Sequence, residues 1–283
     1  MHMRCDSHVH VIGPEDRYPQ LPTRTYLAEA APLDRLAALA APQGIDRFVI
    51  VQPSFYGADN TVLLETLDAL GGRGRGVAVV DADMIAKPIL ADYAARGVCG
   101  LRLNLYSPMG NVDRARMAAT FAAMAGLAEP LGWHVEVIAP IEVLAQEAAT
   151  LANAAVPVVI DHYAVFGGHE PASAAGRQLL GLLRLPHVWM KLSAPYRVSD
   201  DPLDTKPNRP WLAAMLAIAG ERCVWGSDWP HTPAHGAQQG RTIATSHRPI
   251  AYEKLVDDFV AALDSEELTD MIMRDNPARL YGF

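Results

Sequence analysis

The apolar pattern of this chain switches repeatedly between the two-residue alternation of a strand and the 3.6-residue repeat of a helix, and few folds accept that. Strand-like runs fall at Arg4–His10, Asp46–Gln52, Gly76–Asp81, Val98–Asn104, Trp133–Ile138, Val156–His162, His187–Ser193 and Arg222–Asp228. Ala/Leu-rich amphipathic stretches lie between and after them, at Pro32–Ala41, Thr61–Leu70, Arg114–Leu131, Ile141–Ala152, Arg177–Leu185, Pro210–Ala219 and Ala251–Ala262. Ser265–Met273 and Asp275–Phe283 end the chain. Alternation of this kind predicts an α/β fold, a closed parallel (β/α)8 TIM-like barrel wrapped by helices. A doubly wound open sheet is the rival. It would carry a glycine-rich dinucleotide loop after a strand, whereas Gly71-Gly72-Arg73-Gly74-Arg75-Gly76 precedes one. No linker, charge block or repeat divides the 283 residues, so residues 1–283 read as one barrel domain.

The formal net charge is −8 and no basic cluster is present. That argues against nucleic acid or an anionic membrane as partner, since both need a positive footprint. A small anionic substrate stays compatible, because a few arginines inside a pocket outweigh distant, screened charges. Cys5, Cys99 and Cys223 sit in or beside apolar strands, are odd in number and form no CxxC motif. They read as buried, reduced thiols of a cytoplasmic protein. Met1–Asp6 shows no apolar signal region, and no apolar stretch is long enough to span a bilayer.

Barrel enzymes place their chemistry at the carboxyl ends of the strands. The first strand ends in His8-Val9-His10, the sixth in Asp161-His162 and the eighth in Gly226-Ser227-Asp228-Trp229-Pro230-His231. Residues two apart on a strand face one side, so His8 and His10 point together into the barrel. Paired imidazoles there either bind a metal or polarise a carbonyl oxygen. Asp228 closes an apolar run, where burial and neighbouring cations tune a carboxylate for general-base work. Each residue alone has a structural explanation, a core histidine or a capping aspartate; their recurrence at strand ends favours a site.

These residues, with the ending Asp275-Asn276-Pro277-Ala278-Arg279-Leu280-Tyr281, resemble the amidohydrolase superfamily (amidohydrolase family 2). Within it the chain is similar to the branch of 2-pyrone-4,6-dicarboxylate lactonases. Gly100-Leu101-Arg102-Leu103-Asn104 and Val188-Trp189-Met190-Lys191-Leu192-Ser193 extend the likeness along nearly the whole chain. The resemblance implies a lactonase of aromatic or sugar-acid catabolism, a hydrolase acting on cyclic esters. Asp228 would activate water for attack on the ester carbonyl, while His8, His10 and His162 stabilise the oxyanion. It also implies that Tyr26, Ser54, Arg102 and Arg197 bind the substrate's carboxylates, a task suited to the planar guanidinium fork. No metal is favoured: the lysine and extra histidine of a binuclear centre are missing, and Lys191 matches a lysine of the lactonase branch. If one ion binds, Zn²⁺ or Mn²⁺, its ligands would be His8, His10, His162 and Asp228.

Two departures bear on the substrate. Tyr106-Ser107-Pro108-Met109 stands where the lactonases carry a second arginine, and Ile138-Ala139-Pro140 where they carry a tyrosine. A substrate with one carboxylate, or a neutral second substituent, is expected. The long segment after the eighth strand, 229–249, holds His231, His235, Arg241, His247 and Arg248 and reads as a lid over the catalytic face or as a surface excursion. His134 and His187 fall near strand starts and read as structural. Other readings stay open: a lactone isomerase, a mononuclear-metal-dependent hydrolase or decarboxylase of the same superfamily, and a non-catalytic ligand-binding barrel.

Overall fold

In the computed structural model, which describes residues 3–107, 116–233 and 242–283, eight parallel strands form the barrel. They are β1 (Arg4–Val9), β2 (Ile45–Val51), β3 (Gly74–Ala78), β4 (Val98–Asn104), β5 (His134–Ile138), β6 (Val158–Ile160), β7 (Val188–Ser193) and β8 (Cys223–Gly226). Each pairs with the next in sequence order. Pro108, Met109, Arg114, His235 and Arg241 lie outside the described residues, as does the middle of the 229–249 segment.

Several strands are shorter than the apolar runs suggest. β3 is Gly74–Ala78, not Gly76–Asp81; β6 is Val158–Ile160, not Val156–His162; β8 stops at Gly226 rather than Asp228. Apolar character continues past the last ladder hydrogen bond because the turns above are also buried. As a result His162 and Asp228 sit on turns just beyond their strands. The expected helix Ile141–Ala152 breaks at Glu147 into Ile141–Gln146 and Ala148–Ala152, and Ser265–Met273 passes from an α-helix into a π-helical turn, Met271–Asp275. A helix at Lys87–Ala95 was not expected. Leu90 is its one buried residue, so the sequence carries no apolar stripe to announce it.

Closure depends on the seam between β1 and β8. Just above the strands, Asp228 N–H donates to His8 O at 2.9 Å and His10 N–H to Trp229 O at 2.8 Å. Lower down the Asp6 carboxylate takes the place of the ladder. It accepts from Ser227 N at 2.9 Å, His8 N at 3.2 Å and Tyr252 Oη at 3.0 Å. Gly226 makes the close approach feasible, since a Cβ there would lie 2.8 Å from the His8 backbone nitrogen. Burial, only partly offset by these donors, raises the Asp6 carboxyl to about 6.

Asp6→Ala should therefore destabilise by about 1–3 kcal/mol for each stranded donor, whereas Asp6→Asn should keep most of the seam. Between about pH 4 and pH 6 the folded chain holds a proton at Asp6 that the unfolded chain has lost. Wild-type stability therefore falls, relative to Asp6→Asn, as pH rises through that window. Denaturant melts of the three proteins from pH 4 to pH 7 check both statements.

The C-terminal segment anchors the opposite end of the barrel. Asn276 Nδ2 donates to Gly220 O and Cys223 O at 2.8 and 2.7 Å, and Arg75 Nε donates to Tyr281 O at 3.0 Å. His134 packs against Tyr281 there, and His187 Nε2 lies 3.1 Å from Leu151 O. All three cysteines are free thiols; Cys5 and Cys223 are buried, but Cys99 is only half-buried. No helix among the described residues is long and apolar enough to cross a membrane.

Candidate active site

The strand tops deliver their polar side chains to one place. Nε2 of His10, His8 and His162 lies 3.3, 3.6 and 4.0 Å from a single atom, Asp228 Oδ1. The other carboxylate oxygen, Oδ2, accepts from Arg197 Nε at 2.6 Å and Tyr196 Oη at 2.7 Å. Asp228 has φ 58° and His162 φ 49°. Both are left-handed conformations, which an aspartate tolerates better than most residues. At the position after β8 this turn tips the carboxylate toward the histidines.

Above this cluster opens a small cavity. Tyr26, Ser54, Arg102 and Arg197, the expected substrate-binding residues, all line it together with His10, His162 and Asp228. His8 lies beneath, fully buried. Sequence reasoning left out Asn104, Thr232 and Tyr196. Asn104 Oδ1 accepts from Tyr106 N and Ser107 N at 3.1 and 2.9 Å and so shapes the turn after β4. Thr232 Oγ1 accepts from Arg197 Nη2 at 3.0 Å. Ile138, Tyr106 and Ser107 line the cavity at the two places where the chain departs from the lactonase pattern, and Ser107 Oγ stands 3.4 Å from Ser54 Oγ.

Hydrogen bonds on the far side of each ring divide the histidines by role. His10 Nδ1 lies 2.7 Å from Val51 O. A carbonyl only accepts, so His10 carries a proton on Nδ1, and in the neutral form of the ring Nε2 is the acceptor facing Asp228. His162 Nδ1 meets Ser193 Oγ at 2.8 Å, a hydroxyl that serves either tautomer. His8 Nδ1 lies 3.2 Å from Lys191 Nζ. Burial and then Lys191 hold the His8 imidazole well below its ordinary range, and burial takes His162 down to about 4, so both rings are neutral near pH 7. Burial by itself would raise Asp228. Arg197 foremost outweighs it, and the carboxyl is held well below the usual carboxylate range.

Under His8 lies a second buried layer that the sequence reading missed. Lys191 Nζ donates to Glu136 Oε2 and stands 3.5 Å from Asp161 Oδ1, and all three side chains are fully buried. Arg102 Nη2 approaches Asp161 Oδ2 at 3.9 Å, while its Nη1 donates to Gln52 O at 2.6 Å. The available signal was Glu136 within the apolar strand run Val135–Ile138, since charged residues are almost never fully buried unless paired.

His8, His162 and Asp228 present donor atoms within 4.8 Å of one another, the types a zinc or manganese ion takes. At His8 a second requirement is not met. A ligating histidine donates its other ring N–H to an acceptor, and the other nitrogen of His8 faces the Lys191 ammonium.

Residues 5–283 match the amidohydrolase family. A 4-sulfomuconolactone hydrolase of Hydrogenophaga intermedia is 29% identical over 283 residues, which cover 98% of this chain and 88% of that protein. A 2-pyrone-4,6-dicarboxylate hydrolase of Comamonas testosteroni is 29% identical over 290 residues, 98% of this chain and 89% of its own. Among solved structures, a probable 2-pyrone-4,6-dicarboxylic acid hydrolase of Acinetobacter baumannii with citric acid bound superposes over 100% of both chains, with TM-score 0.83 and 26% identity. With a family match across the barrel and a site assembled from its strand ends, the chain belongs to the amidohydrolase family.

Proposed function

We propose that the protein hydrolyses a carboxylate-bearing lactone, with Asp228 as the base. The observation that carries this reading is the convergence of three imidazoles on Asp228 Oδ1 at the floor of a cavity walled by two arginines. Asp228 Oδ1 and His10 Nε2 are both acceptors aimed at one point, where a water molecule donates to them. As water attacks the ring carbonyl, its proton passes to Asp228. The developing oxyanion is met by His8 and His162. The ring C–O bond then breaks, and protonated Asp228 returns the proton to the leaving oxygen, so lactone and water give one hydroxy acid.

Arg197 both lowers Asp228 and faces the substrate. A substrate carboxylate that engages this guanidinium shares its charge and thereby raises the proton affinity of Asp228 when a base is needed. The names of the relatives fit the same chemistry, acidic substituents on a lactone. Among the described lining residues Arg102 and Arg197 are the cations, which favours a single carboxylate beside a neutral substituent. The test is a panel of lactones with and without a carboxylate, run in ¹⁸O-water with and without chelator. Carboxylated lactones should react fastest, ¹⁸O should enter the product acid, and chelator should change nothing. Turnover without ¹⁸O would make the protein an isomerase; loss of turnover with chelator would restore the metal-dependent readings.

A further inference from the structure

We propose that Lys191 is a positioning residue that fixes His8 as its Nε2–H tautomer, so that His8 points a proton, not a lone pair, toward Asp228 Oδ1. An ammonium has three N–H donors and no acceptor. The three groups around Lys191 Nζ are acceptors: Glu136 Oε2, Asp161 Oδ1 at 3.5 Å and His8 Nδ1 at 3.2 Å. Two donors are thus directed, at Glu136 Oε2 and His8 Nδ1, and Asp161 Oδ1 stands in ion-pair range of the third, inside a cluster with no solvent exposure. With Nδ1 accepting, the single proton of neutral His8 resides on Nε2, the atom 3.6 Å from Asp228 Oδ1.

Without Lys191 the opposite tautomer would have a partner ready. His8 Nδ1 lies 3.4 Å from Asp161 Oδ1, and an Nδ1–H donated there is the arrangement a metal-binding histidine uses. Lys191 therefore selects between two uses of one ring, a hydrogen-bond donor or a ligand for a divalent ion. The oxyanion role of His8 rests on the lactone-hydrolase reading; the tautomer does not.

The wild-type tautomer is read from long-range ¹H–¹⁵N spectra of ¹⁵N-histidine-labelled protein. His8→Asn identifies the His8 signals among the ten histidines. A protonated Nε2 is expected, and a proton found on Nδ1 overturns the proposal. The second arm is the pair Lys191→Met with Glu136→Gln, which removes both charges together. Its His8 should switch to Nδ1–H, and its affinity for Zn²⁺ in titration should rise by roughly 10–100-fold over wild type. An unchanged tautomer and unchanged zinc affinity in the folded double variant would overturn the proposal. If that variant does not fold, the wild-type spectrum decides alone. On any lactone the protein turns over, kcat should fall roughly 10²–10³-fold in the double variant with KM little changed. A switched tautomer with undiminished kcat upholds the lock and removes His8 from the oxyanion's partners.

Discussion

Asp228→Asn is expected to lower kcat on a reactive lactone by about 10⁴-fold, the upper range for a positioned acid–base group, in a protein that still folds. The amide is isosteric with the carboxylate. Its oxygen still accepts from Arg197 Nε and Tyr196 Oη, and its NH₂ faces His10 Nε2, an acceptor by virtue of the Val51 carbonyl. The fold therefore keeps these hydrogen bonds and loses only the counter-charge of Arg197, whereas the pocket loses the atom that takes the proton from water. Steady-state kinetics and a thermal melt on the same preparation check this. Turnover within tenfold of wild type in a folded Asp228→Asn protein would remove Asp228 as the base.

Lys191→Met alone should be the most damaging of these changes to stability, at about 3–5 kcal/mol, the usual cost of leaving a buried charge without its partner. Glu136 and Asp161 would remain without the ammonium that neutralises them, at positions with no access to water. Adding Glu136→Gln should recover most of the loss, because the two residues share one network and their effects are not additive. Urea denaturation of wild type, both single variants and the double variant gives the coupling energy. Equal destabilisation in Lys191→Met and in the double variant would mean that the pair does not act as a unit.

Much of the candidate site was legible because two periodicities place it. Apolar period 2 followed by period 3.6 gives strand, helix and their repetition, and the same period 2 puts His8 and His10 on one side of β1. The barrel rule then directs attention to strand ends, where His162, Asp228, Arg102 and Arg197 stand. The helix at Lys87–Ala95 escaped because its exposed residues carry no stripe. Asn104 and Thr232 escaped because a turn-forming amide and a lone hydroxyl look like any loop residue until their partners are known.

Local order along the chain thus determined the barrel, the set of polar strand ends and the family, because side-chain period and strand-end chemistry are properties of neighbours in sequence. Only the tertiary structure decided how those groups are paired. Glu136 and Lys191 are 55 residues apart, and Lys191 and His8 are 183 apart, yet their contacts set which nitrogen of His8 holds its proton. Val51 fixes His10 from 41 residues away, and Arg197 sets the charge on Asp228. Hydrogen bonds and buried charges act over a few ångströms, so their outcome depends on which strands closure brings side by side.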